Sequence, residues 1–345
     1  MNNPLTRLNP FYPGQWGVPG SDSNLGLRSL PLASVYYVDV LHPLANDLND
    51  GTSPDAPLST VQAAANKVQN AYDVILVRSM GIESVDTRVY GVGPSNVRLI
   101  GVAGADEKSF NGVYWESPAG EPCITVRAPG WRIEGFRFGP GVNSIGVEIP
   151  MTGAPGVDVN AIPIFTHIEN CYFYGANSGA GDAAYGIRMY GGAYEITIKG
   201  CRFEFFSRAP GAAIGVTDNA FANPYRIVID GCYFAENTAH IDCNIGAGRG
   251  FDSSVIKDCV FSGRAASPGA SLTNQLTGPA IDLTGGTGNF VTGNKLGGIY
   301  RLPAAGDYVP GTNDFWVGNW TDPSLEAVPG TTVNASGMTV LPPAA

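Results

Sequence analysis

Between residues 130 and 300, apolar and polar positions follow one repeating phrase: an apolar residue, a spacer, a turn residue, Cys, a spacer, Phe. "HIENCYFYG" (167–175), "TIKGCRFEF" (197–205), "VIDGCYFAE" (228–236) and "VIKDCVFSG" (255–263) are successive copies. Aligned, they give a column of Cys171, Cys201, Cys232 and Cys259, separated by 30, 31 and 27 residues. Phe136 extends the column upstream and Asn294 downstream, each by 35 residues. A second column runs Phe138, Phe173, Phe203, Phe234, Phe261 and Leu296, and a third runs Ile133, Ile168, Ile198, Ile229, Ile256 and Val291. Residues two apart in a strand share a face, so the Cys and Phe columns point the same way. The odd step of three from the Ile column to the Cys column demands a bend, which the intervening Gly, Asn or Asp supplies.

A second refrain falls between copies of the first: "GVEI" (146–149), "GIRM" (186–189), "AIGV" (213–216), "HIDC" (240–243) and "AIDL" (280–283). A period near 30 with apolar residues every second position describes one multi-strand coil per repeat, and stacked coils align like residues into interior ladders. Earlier strands fit "DVILV" (73–77), "NVRLIGV" (96–102) and "ITV" (124–126). The expected fold is an all-β solenoid of about eight coils, roughly 35–40 Å long at the ~4.8 Å strand spacing. A β-sandwich also accommodates many short strands, but it does not explain columns at a fixed long period.

Ahead of the coils, Val61, Ala64, Ala65 and Val68 form an apolar stripe at helical spacing, and Ser59 with Gln62 reads as a capping box. A helix here would cover the open end of the first coil. The chain divides into an extended arm (1–34), a strand, turn and capping helix (35–72), the solenoid (73–300), and a C-terminal cap with a Pro-rich tail (301–345). The arm has no period, is rich in Pro, Gly and Asn, and carries Phe11, Tyr12 and Trp16, which suit insertion into a partner's pockets. Phe315, Trp316 and Trp320 are expected to cover the last coil, leaving the tail beyond Pro323 free to dock.

Composition narrows the function. Charged residues are 14% of the 345, and the net charge is −10. The five lysines lie at 67, 108, 199, 257 and 295, so no basic patch offers a nucleic-acid footprint. The N-terminus has no charged start before an apolar run, and no stretch approaches the ~20 apolar residues that span a bilayer; neither secretion nor a membrane is expected. Six cysteines without a CxxC pair read as free thiols, and the Ile and Phe around the Cys column make them inert core fillers.

The refrain, together with "YYVDV…NDLNDGTSPDAPLSTVQAA" (36–65), resembles the right-handed parallel β-helix proteins, which include pectate lyases, pectin-degrading hydrolases and bacteriophage tailspikes or fibres. The resemblance implies the fold. It does not imply one activity, because the scaffold hosts lyases, hydrolases and structural proteins. The hydrolase motifs are missing: "TIKG" and "VIKD" lack the Arg, "AHID" lacks the Gly, and no NTD or DD occurs. A Ca²⁺-dependent lyase site would draw on Glu148, Arg188, Asp218, Asp242 and Asp282, with alternation placing Glu148, Arg188, Asp242 and Asp282 outward. A tailspike-type glycosidase needs two carboxyls roughly 5–9.5 Å apart, for which Asp218, Glu236 and Asp242 are the candidates, with His240 either a general acid or a surface histidine on a turn. Asp47 and Asp50 are weak Ca²⁺ candidates whose spacing falls short of an EF-hand.

The expectation is therefore a structural virion protein of the spike, fibre or capsid-decoration kind. It would be a homotrimer exposed on the virion surface, joined to other virion or capsid proteins through its arm and tail, with host-surface glycan as a ligand. No cofactor, metal or catalytic residue is expected. The alternative is a polysaccharide depolymerase.

Overall fold

The computed structural model describes residues 33–87, 94–102, 112–150, 163–175, 183–206, 211–217, 223–245, 250–262, 280–296, 308–320, 332–333 and 338–340. Phe11, Tyr12, Trp16 and Asp218 lie outside the described residues.

Between Arg98 and Val309 each coil contributes a strand to three sheets in turn, and every coil-to-coil pairing among the described residues is parallel, which makes the fold a parallel β-helix. Among the described residues the first sheet holds ten strands, from Val35–Asp39 to Phe315–Val317. The second sheet runs from Val113–Glu116 to Asn319–Trp320, and the third from Val85–Asp86 to Tyr308–Val309. The second refrain of the sequence is the third sheet.

The columns read from the sequence are ladders in register. Ile133, Ile168, Ile198, Ile229, Ile256 and Val291 pair in succession along the first sheet. The Phe rings stack along the second, with centroids 4.8, 4.7, 4.9 and 4.8 Å apart from Phe138 to Phe261. That spacing is the strand spacing itself, so parallel coils force like side chains into contact.

The corner between these two sheets explains the odd step of three. Its turn residue has a positive φ in each coil from Arg132 to Leu296: Gly135 at 77°, Asn170 at 52°, Gly200 at 60°, Gly231 at 61°, Asp258 at 55° and Gly293 at 68°. Only Gly, Asn and Asp adopt this region cheaply, which is why they recur there. Just past the bend, the Cys column meets carbonyls of the coil before from inside the core, alongside their ladder bonds. The thiols of Cys171, Cys201, Cys232 and Cys259 approach the carbonyls of Ile133, Ile168, Ile198 and Ile229 at 3.8, 3.4, 3.6 and 3.7 Å. Asn294 and Asn319 do so more strongly, their amides donating to Ile256 and Val291 at 2.9 and 2.8 Å. All six cysteines are free and buried; burial pushes the Cys123 thiol up to about 12 and raises those of Cys201 and Cys243 well above the usual range.

The helix Val61–Lys67 buries Val61, Ala64 and Ala65, with Val68 just beyond it, in the same core as Ile75 and Val85. Its cap differs from the expected Ser59. Thr60 holds the extended conformation of an N-cap, and its Oγ1 accepts from the Ala63 amide at 3.1 Å. Gln62, expected to reach back to that cap, instead exchanges two hydrogen bonds with the Asp86 backbone. Glu83 accepts from the Val61 and Gln62 amides at 3.0 and 3.3 Å, and its burial raises its pKa.

The C-terminal expectation also needs correction. Trp316 faces inward, 6% exposed and edge-on to Tyr308, whereas Phe315 points outward, 60% exposed, and stacks on Phe290. Alternation decides this: Trp316 follows Val291 in the interior column, so its neighbour must face solvent. Part of the tail is paired rather than free, since Met338–Val340 adds antiparallel to Asn319–Trp320 and Thr332–Val333 adds to it in turn.

Asn294→Ala takes the side-chain acceptor from the buried Cys259 amide, at about 1–3 kcal/mol, and removes a second donor from the Ile256 carbonyl. Urea unfolding should show a larger loss for Asn294→Ala than for Cys232→Ala, because a thiol is the weaker donor.

Candidate functional site

The outer face of the third sheet carries a polar column, in register from coil to coil: Thr125, Glu148, Arg188, Gly215, Asp242 and Asp282. The flanking Val147, Ile149, Ile187, Met189, Ile241 and Cys243 are buried in the core, so alternation turns these polar side chains outward. Glu148 is the hub of the upper half. It pairs with the Arg188 guanidinium and accepts from Thr125 Oγ1 at 3.1 Å and from the Tyr190 hydroxyl at 3.3 Å. Arg188 lies over the Tyr190 and Tyr185 rings, 5.1 and 5.9 Å from their centroids, and burial raises both phenols.

Below Arg188 the column has a gap. Gly215 places no side chain there, so Arg188 and Asp242 stand two strand spacings apart, roughly 10 Å. Asp242 and Asp282 are side by side on adjacent coils, an arrangement that ordinarily destabilises a sheet. Asp282 is 7% exposed and accepts from the Thr284 amide at 2.8 Å. A cation with two phenols on one side of an open rung, and two carboxylates on the other, makes a set of donors and acceptors suited to a hydroxyl-rich ligand.

Of the expected glycosidase trio, Glu236 and Asp242 lie among the described residues and Asp218 does not. Glu236 is half-buried at a positive-φ turn after the second sheet, and Asp242 faces outward from the third. His240 is neither a surface turn residue nor an exposed acid: it is fully buried between Phe234 and Phe261. Its ring nitrogens meet Asn237 Nδ2 at 3.1 Å and the Ser262 carbonyl at 3.0 Å, and burial holds its pKa down at about 4. The sequence contained the signal, since Gly146, Gly186, Ala213 and Ala280 hold the equivalent place in other coils and a histidine there has to fill the interior.

Asp47 and Asp50 serve turns. Asp47 accepts from the Ser59 and Thr60 amides and the Thr60 hydroxyl, and Asp50 accepts from the Thr52 amide, which lowers its pKa. Among the described residues no group of three or more His, Cys, Asp or Glu is placed to hold a metal, and no helix is long and apolar enough to cross a membrane.

A second outward ladder escaped the sequence reading, although the residue between the Cys and Phe columns spells it out. Tyr114, Arg137, Tyr172, Arg202 and Tyr233 alternate in register along the second sheet. Each guanidinium lies 5.1–5.6 Å from the ring centroids above and below it. Glu204 anchors the middle by accepting from the Tyr172 hydroxyl at 2.7 Å and pairing with Arg202. The first sheet is likewise stitched between coils, by Arg98–Glu134, Arg132–Glu169 and Lys257–Asp230. His167 and Arg132 hold the Glu169 carboxyl down at about 2.

No protein-family model matches the chain, and no curated protein does. Three solved structures are similar to the chain at low identity. ORF18 of Geobacillus virus E2 is 16% identical with a TM-score of 0.45, over 86% of this chain and 62% of that one. The GH136 lacto-N-biosidase of Eubacterium ramulus is 14% identical with a TM-score of 0.48, over 84% and 56%. A rhamnogalacturonan lyase is 16% identical with a TM-score of 0.40, over 82% and 69%. The match thus takes in less than two thirds of the first two proteins.

His240 sets a pH limb. The unfolded chain takes up a proton below about 6.5 that the folded chain refuses until about 4, so stability rises with pH across that window and falls as it is acidified. Melting followed from pH 7 to 4 should show a loss of about 3 kcal/mol that His240→Gln removes; parallel curves for the two proteins would contradict this.

Proposed function

We propose that the chain is a structural component of a virion, of the spike, fibre or capsid-decoration kind, attached through residues 1–34 and acting as a stiff rod. The observation that carries this reading is how the polar groups of the coils are used. In each sheet, outward charged and aromatic side chains bond the equivalent residue one coil away, as in Glu148–Arg188, Arg132–Glu169 and the Tyr–Arg ladder. Individually such surface pairs contribute little, but repeated along the solenoid they oppose bending and fraying together. The resemblance of the coil refrain and of residues 36–65 to phage spike and fibre proteins supports the virion setting. A homotrimer suits the apolar strip Val228, Val255, Phe290 and Phe315 on the outer face of the first sheet, where Phe290 and Phe315 are 44% and 60% exposed. Sedimentation of the native particle, with intact-mass spectrometry of the fractions, tests the reading. The 36.1 kDa chain should travel with the particle at fixed stoichiometry, and its recovery only as free protein would refute attachment.

The open rung at Gly215 favours a second reading, a depolymerase acting on host-surface polysaccharide with Asp242 and Asp282. Incubation with capsular or cell-wall glycans should then release reducing ends or unsaturated products. Asp242→Asn with Asp282→Asn should abolish that release without changing the melting temperature by more than a few degrees, the scale set by about 1 kcal/mol.

A further inference from the structure

At the N-terminal end of the solenoid, the outer face of the first sheet is hollowed into a groove of about 230 Å³. Tyr37, Leu76, Val102, Pro54 and Pro57 are among the residues that line it. Val102 is 47% exposed, so apolar surface here meets solvent. One edge is polar. Asp39 accepts from the Leu41 amide and the Ser79 hydroxyl through Oδ1, while Oδ2 faces the Arg78 guanidinium at a long 3.5 Å. Arg78 itself is 73% exposed. The groove therefore has room for one large side chain with an apolar body and an N–H or O–H to offer the carboxylate at its rim.

The chain carries such a side chain nearby. Residues 1–32 contain Trp16 among Pro and Gly, and they join the fold at residue 33, four positions before Tyr37. Sixteen residues lie between Trp16 and that junction, a span of at most about 60 Å when fully extended, so the indole can reach the groove. Because both belong to one chain, the contact is intramolecular and outcompetes one between molecules in dilute solution. Charge points the same way: the segment carries Arg7 and Arg28 against Asp22 alone, in a chain of net charge −10.

We propose that this groove holds Trp16 of the same chain, with the indole stacked on Tyr37, Leu76 and the two prolines and its N–H directed to Asp39. Tryptophan supplies an apolar body and a single donor, the combination the groove presents. In the isolated protein the arm is latched along the first sheet, and its aromatic residues become available to a partner when that contact is exchanged. This rests on the groove and not on the virion reading, and it is measured on free protein.

The test pairs Gln15→Cys with Val102→Cys, leaving Trp16 in place; the six native cysteines are buried and do not compete. After mild oxidation, non-reducing gels and intact mass should show an intramolecular disulfide at monomer mass. Adding Trp16→Ala should cut its yield about tenfold or more, as expected for loss of a buried aromatic anchor. Free thiols, dimers alone, or a cross-link indifferent to Trp16→Ala would each overturn the proposal.

Discussion

A parallel coil has to bend sharply between its first and second sheets, and past that bend a backbone amide faces a core without water. A buried amide with no acceptor costs as much as a lost hydrogen bond. The corner column answers this: the Cys232, Cys259 and Asn294 amides donate to Cys259 Sγ, Asn294 Oδ1 and Asn319 Oδ1 of the next coil at 3.3, 2.9 and 3.1 Å, and the same column reaches back to the carbonyls of the coil before. The same logic operates where the third sheet returns to the first: Ser254, Asn289 and Asp314 accept the amides of Ile227, Ser254 and Asn289. The interior is therefore a set of apolar ladders bounded by two polar corner ladders, and the apolar ladders depend on the corners holding register.

This is why the architecture was legible in the sequence. A ladder writes the same chemistry into the chain at each turn of the solenoid, so the Ile, Phe and Cys columns and their Gly/Asn/Asp corners could be read by alignment alone. Features that occur once were not legible. His240 breaks its column of Gly and Ala, and only the alignment of the second refrain would have shown that it lay inside. Thr60 and Ser59 are adjacent hydroxyl residues, and what separates them is Asp47, which binds both amides from twelve and thirteen residues away. The Tyr–Arg ladder was visible as the residue between Cys and Phe, but as a spacer it drew no notice.

The outer faces divide the same way. Where a charged residue has an opposite neighbour one coil away, as with Arg132 and Glu169, the side chains serve the rod. Asp242 beside Asp282 is different, since adjacent carboxylates contribute no such attraction, and Gly215 beside them leaves the face open.

The corner column also changes character along its length, from Phe136 through four thiols to Asn294 and Asn319. Thiols bind their carbonyls at 3.4–3.8 Å and amides at 2.8–2.9 Å, so adjacent coils grip one another unevenly. Pulled along its axis, such a rod does not share strain equally. The amide-cornered coils at the C-terminal end would transmit tension nearly unchanged, and the thiol-cornered coils before them would open first, giving the molecule a compliant segment beside a firmer end.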